Sequence, residues 1–538
     1  MDIIFTIVFS LILIVALSSV VIELRRDLTM MQQNSYRPER YMRWLSESKD
    51  TVAMIRLLSI ATLLFGLAVQ ISTLGITMVL TLIMMYFALR QNLSRTYKKP
   101  LVMTKRAWRI FTVQMLLAVA VCIVVLCFTN NDNPEKFVYV ITQALLAVYC
   151  CSHIITILAV YILTPVEKSI NRGYYNDAQR RLRAMPNLKI IGITGSYGKT
   201  STKHFLHRIL SEHYDTLMTP GSFNTTMGVI RTIREHLKSY NEVFIVEMGA
   251  KQKGDIREIC KLVHPEIGII TAVGPQHLET FKSIENVYRT KFELVNSLPA
   301  DGLAVVNNNA AQRAERFISN RDLKIVKYAV GGLTDGADYK VSEITYSSTG
   351  TRFTLLAPDG TATDFTTPLM GEGNILNLVA SIIVARSLDV PEDKIKLAVS
   401  RMEQVEHRLS VKHTPGGITI LDDAFNSNPV GSAMALEVLG KMEGGRKFVV
   451  TPGMVELGEE QYERNHKFGK NIAATADVAI IVNAYNREAI TAGIAEGGMD
   501  SAAVHTVDTF AEAQRLLSTL LQKGDIVLYE NDLPDTFK

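Results

Sequence analysis

Apolar residues are concentrated in the first 165 positions of the 538-residue chain. Four almost uncharged runs occur there, at 3–22, 52–89, 110–128 and 137–163. Each is long enough to cross a bilayer, because a helix of about 20 apolar residues spans the hydrocarbon core. The run 52–89 is interrupted near Gln70 and Gly75 and predicts two closely connected spans. The pattern therefore predicts an α-helical membrane region of five transmembrane helices.

The charges that flank these runs predict their orientation. The loop 90–109 carries seven basic residues and no acid, which predicts a cytoplasmic position. The loop 129–136 carries one lysine and two acids and is predicted to lie outside. Five spans then place the N-terminus outside and everything after Pro165 in the cytoplasm. The expected protein is a multi-pass protein of the cell (inner) membrane.

Three features of this region have a second interpretation. The first run could be a cleaved signal peptide, although Asp2 at its start and the basic pair Arg25-Arg26 after it favour a span. The basic loop could bind anionic lipid headgroups in addition to setting the orientation of the spans. His153, inside the fifth span, is interpreted as a neutral packed histidine, with a proton relay as the alternative.

Short β-rich runs alternate with helical periods after residue 188, which is typical of α/β domains with parallel sheets. Before them, residues 166–187 predict an amphipathic juxtamembrane linker helix, and residues 339–367 predict antiparallel strands. The predicted domains follow from these boundaries: a five-span membrane region (1–165), a linker helix (166–187), a central α/β domain (188–405) and a Rossmann-like C-terminal α/β domain (406–538).

Composition narrows the class of protein. Hydrophobic residues make up 48% and charged residues only 20%, which excludes a disordered or fibrous chain. The net charge of +4 is too small to indicate a nucleic-acid partner, and none is expected. Five cysteines in a chain of this length cannot form a disulfide framework, and no Cys/His spacing indicates a metal site.

A glycine-rich segment with the sequence GITGSYGKTS, at 192–201, carries the strongest chemical signal. It lies between a predicted strand and a predicted helix, where backbone N–H groups can face phosphates. Lys199 would hold the terminal phosphates of ATP and Thr200 would offer its hydroxyl to Mg²⁺. Ile193 stands where a strict Walker A motif has glycine, so this is a variant P-loop, and a chance glycine turn is the alternative. The predicted nucleotide-binding residues are Gly195, Ser196, Gly198, Lys199, Thr200 and Ser201.

That segment resembles the Mur ligase family, the ATP-dependent amide ligases that build the peptide stem of peptidoglycan. Similar stretches follow in the family's order over residues 188–530, about two-thirds of the chain. They read VFIVEMGAKQKGDI, TAVGPQHLETF, YRTKFEL, GEGNILNLVAS, VEHRLSV and TILDDAFNSNP. TPGMVELGEE resembles the segment of the branch that adds D-alanyl-D-alanine to a UDP-N-acetylmuramoyl-tripeptide.

The resemblance implies a role for each matching residue. Glu247 and His277 would bind Mg²⁺ with Thr200, Lys291 would be carbamylated, and Arg408 would act in catalysis and contact nucleotide. Two further residues, Asn374 and Asp423, would contact nucleotide, although a polar strand end is the alternative for Asp423. The implied substrate-binding residues are Asn224, Asn426 and Asn428.

The chemistry of amide formation agrees with these roles. A carboxylate must be activated before an amine can attack it, and ATP can do this by forming an acyl phosphate. Charge then builds on the transferring phosphoryl group, which Lys199, Arg408 and Mg²⁺ would stabilise. A histidine is an unusual ligand for the hard Mg²⁺ ion, so His277 alone would be interpreted as structural. Lys291 alone would be interpreted as a cation beside the phosphates, and its carbamylation comes only from the resemblance.

Departures from the family pattern leave the substrate open. Only Asn224 remains of the asparagine-rich segment, Gly373 replaces a histidine, and acidic residues at 530–535 replace a basic tail segment. The predicted spans stand where the family has its UDP-sugar-binding domain. We therefore expect an envelope-precursor carboxylate as acceptor, UDP-linked, lipid-linked or polymeric, and a small amine such as an amino acid or dipeptide.

Three other functions compete with this hypothesis. The nearest is a ligase of poly-γ-glutamate or another envelope polymer. An ATP-driven membrane transporter or regulator is disfavoured because no inverted transmembrane repeat is present. A glutamine-fed amidating subunit would need a four-cysteine zinc ribbon, which the single cysteine of the soluble part, Cys260, cannot build.

Overall fold

The computed structural model describes residues 2–48, 50–68, 74–95, 97, 99–129, 134–276, 278–320, 322–331, 334–347, 350–405, 409–424 and 427–532. The chain divides into two compact units, residues 1–172 and residues 173–533. The first is helical and the second consists of α/β layers.

The first unit is built from apolar helices. Its helices are α1 (Asp2–Gln33), α2 (Pro38–Glu47), α3 (Met54–Ala68), α4 (Leu74–Leu93), α5 (Lys105–Cys127), α6 (Pro134–Cys150) and α7 (Ser152–Arg183). Within the described residues, three segments are long and apolar enough to cross a membrane: Ile76–Leu93, Lys105–Cys127 and Ser152–Arg183. The apolar helices α3 and α6 are shorter.

Two predictions for this region need correction. The predicted fifth span, 137–163, is not one helix, because the chain breaks between α6 and α7 at Cys151. The predicted linker helix 166–187 is not a separate element either, because α7 continues through Pro165 as far as Arg183. The helix tolerates this proline because only one backbone hydrogen bond is lost in a long helix. The described helices thus do not reproduce the five predicted spans.

A buried group of charged side chains lies inside the first unit. We call it the charged cluster, and it comprises Glu23, Arg26, Asp27, Asp50, Arg56 and His153. Arg26 pairs with Asp50, and the Nη2 atom of Arg56 lies 2.5 Å from the Oε1 atom of Glu23. Three carboxylates face two guanidinium groups and one imidazole, so the cluster is neutral when His153 carries a positive charge.

His153 is packed inside the charged cluster, where its Nδ1 atom lies 3.0 Å from the Tyr41 hydroxyl. Its Nδ1 atom lies 3.0 Å from Asp27 and its Nε2 atom 3.1 Å from Asp50. The imidazole therefore lies between two carboxylates, and both contacts are ion pairs when it is protonated.

Arg56 also caps the break between α6 and α7. Its Nη1 atom donates to the carbonyls of Tyr149 and Cys150, at 3.0 and 3.2 Å, and to the hydroxyl of Ser152 at 3.3 Å. Carbonyls at a helix end have no partner within the helix, and a guanidinium group with several donors can satisfy two of them. The break is therefore stabilised by a side chain from another helix.

The second unit begins with a nine-stranded sheet. Its strands are β1 (Lys189–Thr194), β2 (Thr216–Met218), β3 (Val243–Glu247), β4 (Ile267–Ile270), β5 (Leu303–Asn307), β6 (Lys324–Val330), β7 (Tyr339–Ser347), β8 (Gly350–Leu356) and β9 (Ala362–Thr367). The order is β2-β3-β1-β4-β5-β6-β7-β8-β9, parallel as far as β7 and antiparallel from there. The predicted parallel sheet and the predicted antiparallel strands are thus one mixed sheet.

Helices cover both faces of this sheet and form two hydrophobic cores. They are α8 (Lys199–Leu210), α9 (Thr226–Glu235), α10 (Asp255–Val263), α11 (Leu278–Phe281), α12 (Ile284–Lys291), α13 (Asn308–Ala314), α14 (Glu372–Ser387) and α15 (Glu392–Ser400). Helices α8 and α14 pack on one face through Phe205, Leu206 and Leu378, and α9, α10 and α12 pack on the other.

A six-stranded sheet forms the C-terminal part of the second unit. Its elements are β10 (Ser410–His413), β11 (Thr419–Asp423), α16 (Pro429–Lys441), β12 (Lys447–Thr451), α17 (Gln461–Thr475), β13 (Val478–Val482), α18 (Arg487–Glu496), β14 (Val504–Val507), α19 (Phe510–Leu520) and β15 (Ile526–Glu530). The strand order is β10-β11-β15-β12-β13-β14, and only β10 is antiparallel. This confirms the predicted α/β class of the region.

Candidate active site

The loop between β1 and α8 requires glycine at two positions. Gly195 has a φ angle of +154° and Gly198 one of +82°, both unfavourable for a residue with a side chain. A Cβ atom at Gly195 would lie 1.9 Å from the hydroxyl oxygen of Thr271. At Gly198 it would lie 2.2 Å from the amide oxygen of Asn377. The backbone can therefore curl tightly in front of α8, where a helix N-terminus favours an anion.

The chain segment after β4 holds this loop in place. The backbone N–H groups of Ser196 and Tyr197 both donate to the carbonyl of Ala272, at 2.9 and 3.1 Å. The Ser196 hydroxyl donates to the carbonyl of Gly274 at 2.9 Å. His277 follows three residues later and lies outside the described residues, so its role as a metal ligand stays a prediction.

Lys199 begins α8 and folds back over the loop. Its ammonium group donates to the carbonyls of Gly195 and Ser196, at 2.7 and 3.0 Å. Thr200 and the buried Ser201 follow in the first turn of the same helix. The structure therefore brings the residues of the glycine-rich motif together on one loop and one helix N-terminus.

Glu247 is the acidic centre of the site. It ends β3 and is only 1% exposed. Its Oε1 atom accepts hydrogen bonds from Thr200 at 3.2 Å and from the side-chain amide of Asn224 at 3.1 Å. Burial acts to raise the pKa of Glu247, but the nearby Lys203, Lys199 and Asn224 outweigh it and hold this pKa below its usual value. Glu247 is therefore ionised at neutral pH.

Lys203 is a residue of this site that the sequence analysis missed. It is fully buried, its Nζ atom lies 3.1 Å from the Oε2 atom of Glu247, and it donates to the carbonyl of Gly221 at 2.6 Å. Lys203 follows Lys199 by one helical turn, so the two lysines lie on the same face of α8. That spacing is the only signal in the sequence that could have identified it.

Lys291, the predicted carbamylated residue, ends α12 and is buried with 1% exposure. Burial and the positive charge of Lys199 lower the pKa of Lys291 well below its usual value, although Asp255 and Glu293 act in the opposite direction. A buried lysine of this kind is held as the neutral amine, the form that reacts as a nucleophile.

The predicted residues of the C-terminal sheet lie at the ends of its elements. Asp423 ends β11 and accepts a hydrogen bond from the N–H group of Leu409 at 2.9 Å. Asn428 caps α16, because its side-chain oxygen accepts from the N–H groups of Val430 and Gly431 at 3.1 and 2.9 Å. The other two predicted residues of this region, Arg408 and Asn426, lie outside the described residues.

Asn374 lies one turn before Asn377, the residue of α14 that packs against Gly198. It occupies the first turn of α14 and donates to the carbonyl of Met370 at 2.9 Å. A small pocket brings it together with Gln404 and Leu409 from the start of the C-terminal region. The structure thus gathers Lys199, Thr200, Asn224, Glu247 and Lys291 around one strand edge. Of the other predicted residues, Asn374 lies in the first turn of α14, Asp423 at the end of β11 and Asn428 at the N-terminus of α16.

Two family models match the second unit. Residues 193–385 match the Mur ligase middle domain, and residues 407–529 match the Mur ligase, glutamate ligase domain. The chain belongs to the Mur ligase family of ATP-dependent amide ligases.

Relatives with a known activity point to one branch of this family. The UDP-N-acetylmuramoyl-tripeptide–D-alanyl-D-alanine ligase of Escherichia coli is 31% identical over 340 residues, 62% of this chain and 74% of that protein. The enzyme of the same name from Bacillus subtilis is 29% identical over 351 residues, 64% and 72% of the two chains. The crystal structure of the MurF ligase of Thermotoga maritima in complex with ADP matches with a TM-score of 0.59 and 25% identity, over 67% of this chain and 80% of that one.

Proposed function

We propose that this protein is a membrane-anchored, ATP-dependent carboxylate–amine ligase of peptidoglycan-type envelope synthesis. The observation that carries the proposal is the arrangement of Lys199, Thr200, Lys203, Asn224 and Glu247 beside the glycine-rich loop. The named activity of the E. coli and B. subtilis relatives supports a precursor carboxylate as one substrate and an amino acid or dipeptide as the other.

The residues fit a nucleotide and a magnesium ion. The tight loop at Gly195 and Gly198 leaves no room for a Cβ atom, as expected where a backbone receives phosphates. Lys199 would bind the terminal phosphates, and the ionised Glu247 with the Thr200 hydroxyl would hold Mg²⁺. When bound, magnesium and nucleotide supply charge neutralisation and the activation of the carboxylate. Lys203 would keep Glu247 ionised and correctly placed.

Lys291 supports a ligase rather than a simple nucleotide-binding protein. A lysine held as the neutral amine can attack carbon dioxide, and loss of one proton from the nitrogen then leaves a carbamate anion. That change would place a further acidic group near Lys199. We propose this modification for Lys291, with His277 and Arg408 as further catalytic residues.

The apolar helices of the first unit support a membrane anchor. The stretch of similarity to the family begins at residue 193, after these helices. We propose that they replace a UDP-sugar-binding domain and bring a lipid-linked or polymeric acceptor to a cytoplasmic active site. The same observation keeps a ligase of poly-γ-glutamate or another envelope polymer as the second candidate.

The test is a ligation assay with the purified full-length protein in detergent. UDP-linked and lipid-linked acceptors are each combined with D-alanyl-D-alanine or single amino acids, and ADP, phosphate and product mass are followed. We expect ADP release that depends on both substrates and a new amide in the product. Lys199→Ala should abolish turnover, whereas Lys324→Ala, a substitution at an exposed site of β6, should not. ATP hydrolysis without an amide, for every acceptor, would overturn the proposal.

A further inference from the structure

The end of β15 fastens two loops of the C-terminal sheet together. Glu530 is the last residue of β15, is fully buried, and its Oε1 atom accepts a hydrogen bond from the Ser427 hydroxyl. The next residue, Asn531, accepts from the backbone N–H group of Ser427 at 3.1 Å and donates to the carbonyl of Gly453 at 2.5 Å. We call Glu530 and Asn531 the C-terminal clamp.

Asn531 is suited to this position in two ways. Its φ angle is +68°, in the left-handed region that asparagine adopts more readily than most residues. Its side-chain amide carries one acceptor and one donor group, and the clamp uses both. Its backbone N–H group also donates to the carbonyl of Asp423, at 3.3 Å.

The loops that the clamp fastens form a wall of a pocket. Ser427 and Asn428 come from one loop, and Val455, Glu456 and Leu457 from the turn after Gly453. Pro275 and Gln276, from the segment that holds the glycine-rich loop, line the same pocket. The pocket therefore lies between the loops that the clamp joins and the segment that holds the glycine-rich loop. In a ligase whose nucleotide lies at that loop, the amine can reach the activated carboxylate from this pocket.

We propose that Glu530 and Asn531 are positioning residues for the amine substrate, which they serve by fixing the loop of Ser427 and Asn428 against the turn after Gly453. This inference rests on the proposed ligase function and goes beyond it, because it names the residues that shape the amine site without touching the amine.

The protonation of the Glu530 carboxyl group can be tested independently of enzyme activity. Glu530 and Asp423 are the last residues of two neighbouring strands, and they lie opposite each other in the sheet. Burial and the adjacent Asp423 raise the pKa of Glu530 well above its usual value. Folding therefore favours the neutral form of the Glu530 carboxyl group over its carboxylate. When the pH rises through this pKa, two buried anions face each other and the clamp loosens.

The first arm of the test measures steady-state kinetics of the full-length protein. Glu530→Ala, Asn531→Ala and the milder Ser427→Ala should raise the KM for the amine by about tenfold, the effect of losing one or two hydrogen bonds. The KM for ATP should stay within about twofold, because the glycine-rich loop is untouched. Glu530→Gln keeps the shape and the neutral charge and should restore the wild-type KM. Asp532→Asn, at an exposed neighbouring site, is the matched control.

The second arm needs no activity. A group whose pKa is raised by folding contributes stability below that pKa and loses it as the pH rises. The melting temperature of the wild type should therefore fall relative to that of Glu530→Gln as the pH is raised. Equal melting curves of the wild type and Glu530→Gln at every pH would contradict the raised pKa of Glu530.

The two experiments distinguish a failure of the proposed ligase function from a failure of the positioning role. If the wild type forms no amide, the ligase proposal fails, and the melting experiment still tests the clamp. If the wild type forms amide and the folded Ala variants keep its amine KM, the positioning role is wrong. A KM for ATP that rises equally with the KM for the amine would also overturn it, because it would indicate a general loss of structure.

Discussion

Lys203 is the residue on which the ionised state of the proposed metal site depends most. Lys203→Met removes the ammonium group 3.1 Å from Glu247 and leaves a buried carboxylate without its cation. The pKa of Glu247 should rise, because Lys203 helps to hold it down. An ionised Glu247 is present above its pKa and lost as the pH falls, so the acid limb of the pH–rate profile should move to higher pH. At pH 7, kcat/KM for ATP should fall about 10- to 100-fold, the usual effect of removing a residue that orients a metal ligand.

A control lies on the same helix. Arg208 pairs with Glu212 in a partly exposed position, and Arg208→Met should change kcat/KM little because exposed pairs contribute little. If Lys203→Met leaves the acid limb where it is in the wild type, Lys203 does not control Glu247.

Lys291 tests the carbamate. Lys291→Ala should lose activity, and small carboxylates such as acetate should restore part of it by replacing the missing anion. The measurement is the initial ligation rate at increasing acetate concentration, with Lys199→Ala, which should not respond, as the control. Full activity of Lys291→Ala without any additive would remove the carbamate from the mechanism.

At the residue scale, the sequence predicts the glycine-rich loop and Glu247 but not the buried Lys203 beside them. Gly195, Gly198 and Lys199 are recognisable because their spacing suits phosphate binding, and the structure brings them together. Lys203, in contrast, cannot be recognised from the sequence, because a lysine in an amphipathic helix usually lies at the surface. Its burial depends on Glu247, from a strand more than 40 positions away.

At the scale of elements, the main error concerns where apolar runs are divided into helices. Hydrophobicity continues through Cys151, so the run 137–163 contains no sign of the break between α6 and α7. The break is stabilised by Arg56, which belongs to α3. A pattern read along one segment cannot reveal a partner from another. The sheets were easier to predict, because alternating strands and helices specify parallel pairing locally.

Arg56→Leu tests this role of Arg56. The substitution removes donors to the carbonyls of Tyr149 and Cys150 and leaves Glu23 without its closest cation. We expect the first unit to lose about 3–5 kcal/mol of stability, the usual cost of breaking a buried pair. The loss is measured by thermal unfolding of the full-length protein in detergent.

The matched control is Arg25→Leu, at an exposed position of α1, which should change the melting temperature little. The double variant Arg56→Leu with Glu23→Gln should recover part of the loss, because the charged cluster regains its balance of charges. Equal melting temperatures for Arg56→Leu and Arg25→Leu would contradict the capping role.

At the scale of the whole molecule, the proposed orientation in the membrane can be tested with single cysteines. In a chain without its five native cysteines, Pro134→Cys tests the predicted outer loop and Ser94→Cys the basic loop. A maleimide that cannot cross membranes should label Pro134→Cys in intact cells and Ser94→Cys only after permeabilisation, because positive loops remain in the cytoplasm. The reverse pattern would contradict the orientation, and labelling of both sites in intact cells would contradict the spans.

The contacts of the glycine-rich loop also determine when it can form during synthesis. Ser196 is held by Gly274, 78 positions later in the chain, and Gly198 packs against Asn377. The motif therefore leaves the ribosome well before the residues that give it its shape. A chain arrested soon after β3 carries the complete motif but cannot yet curl it, and the loop becomes competent only after α14 has been translated and has packed on α8. Nascent chains of increasing length should accordingly acquire nucleotide binding late, and abruptly.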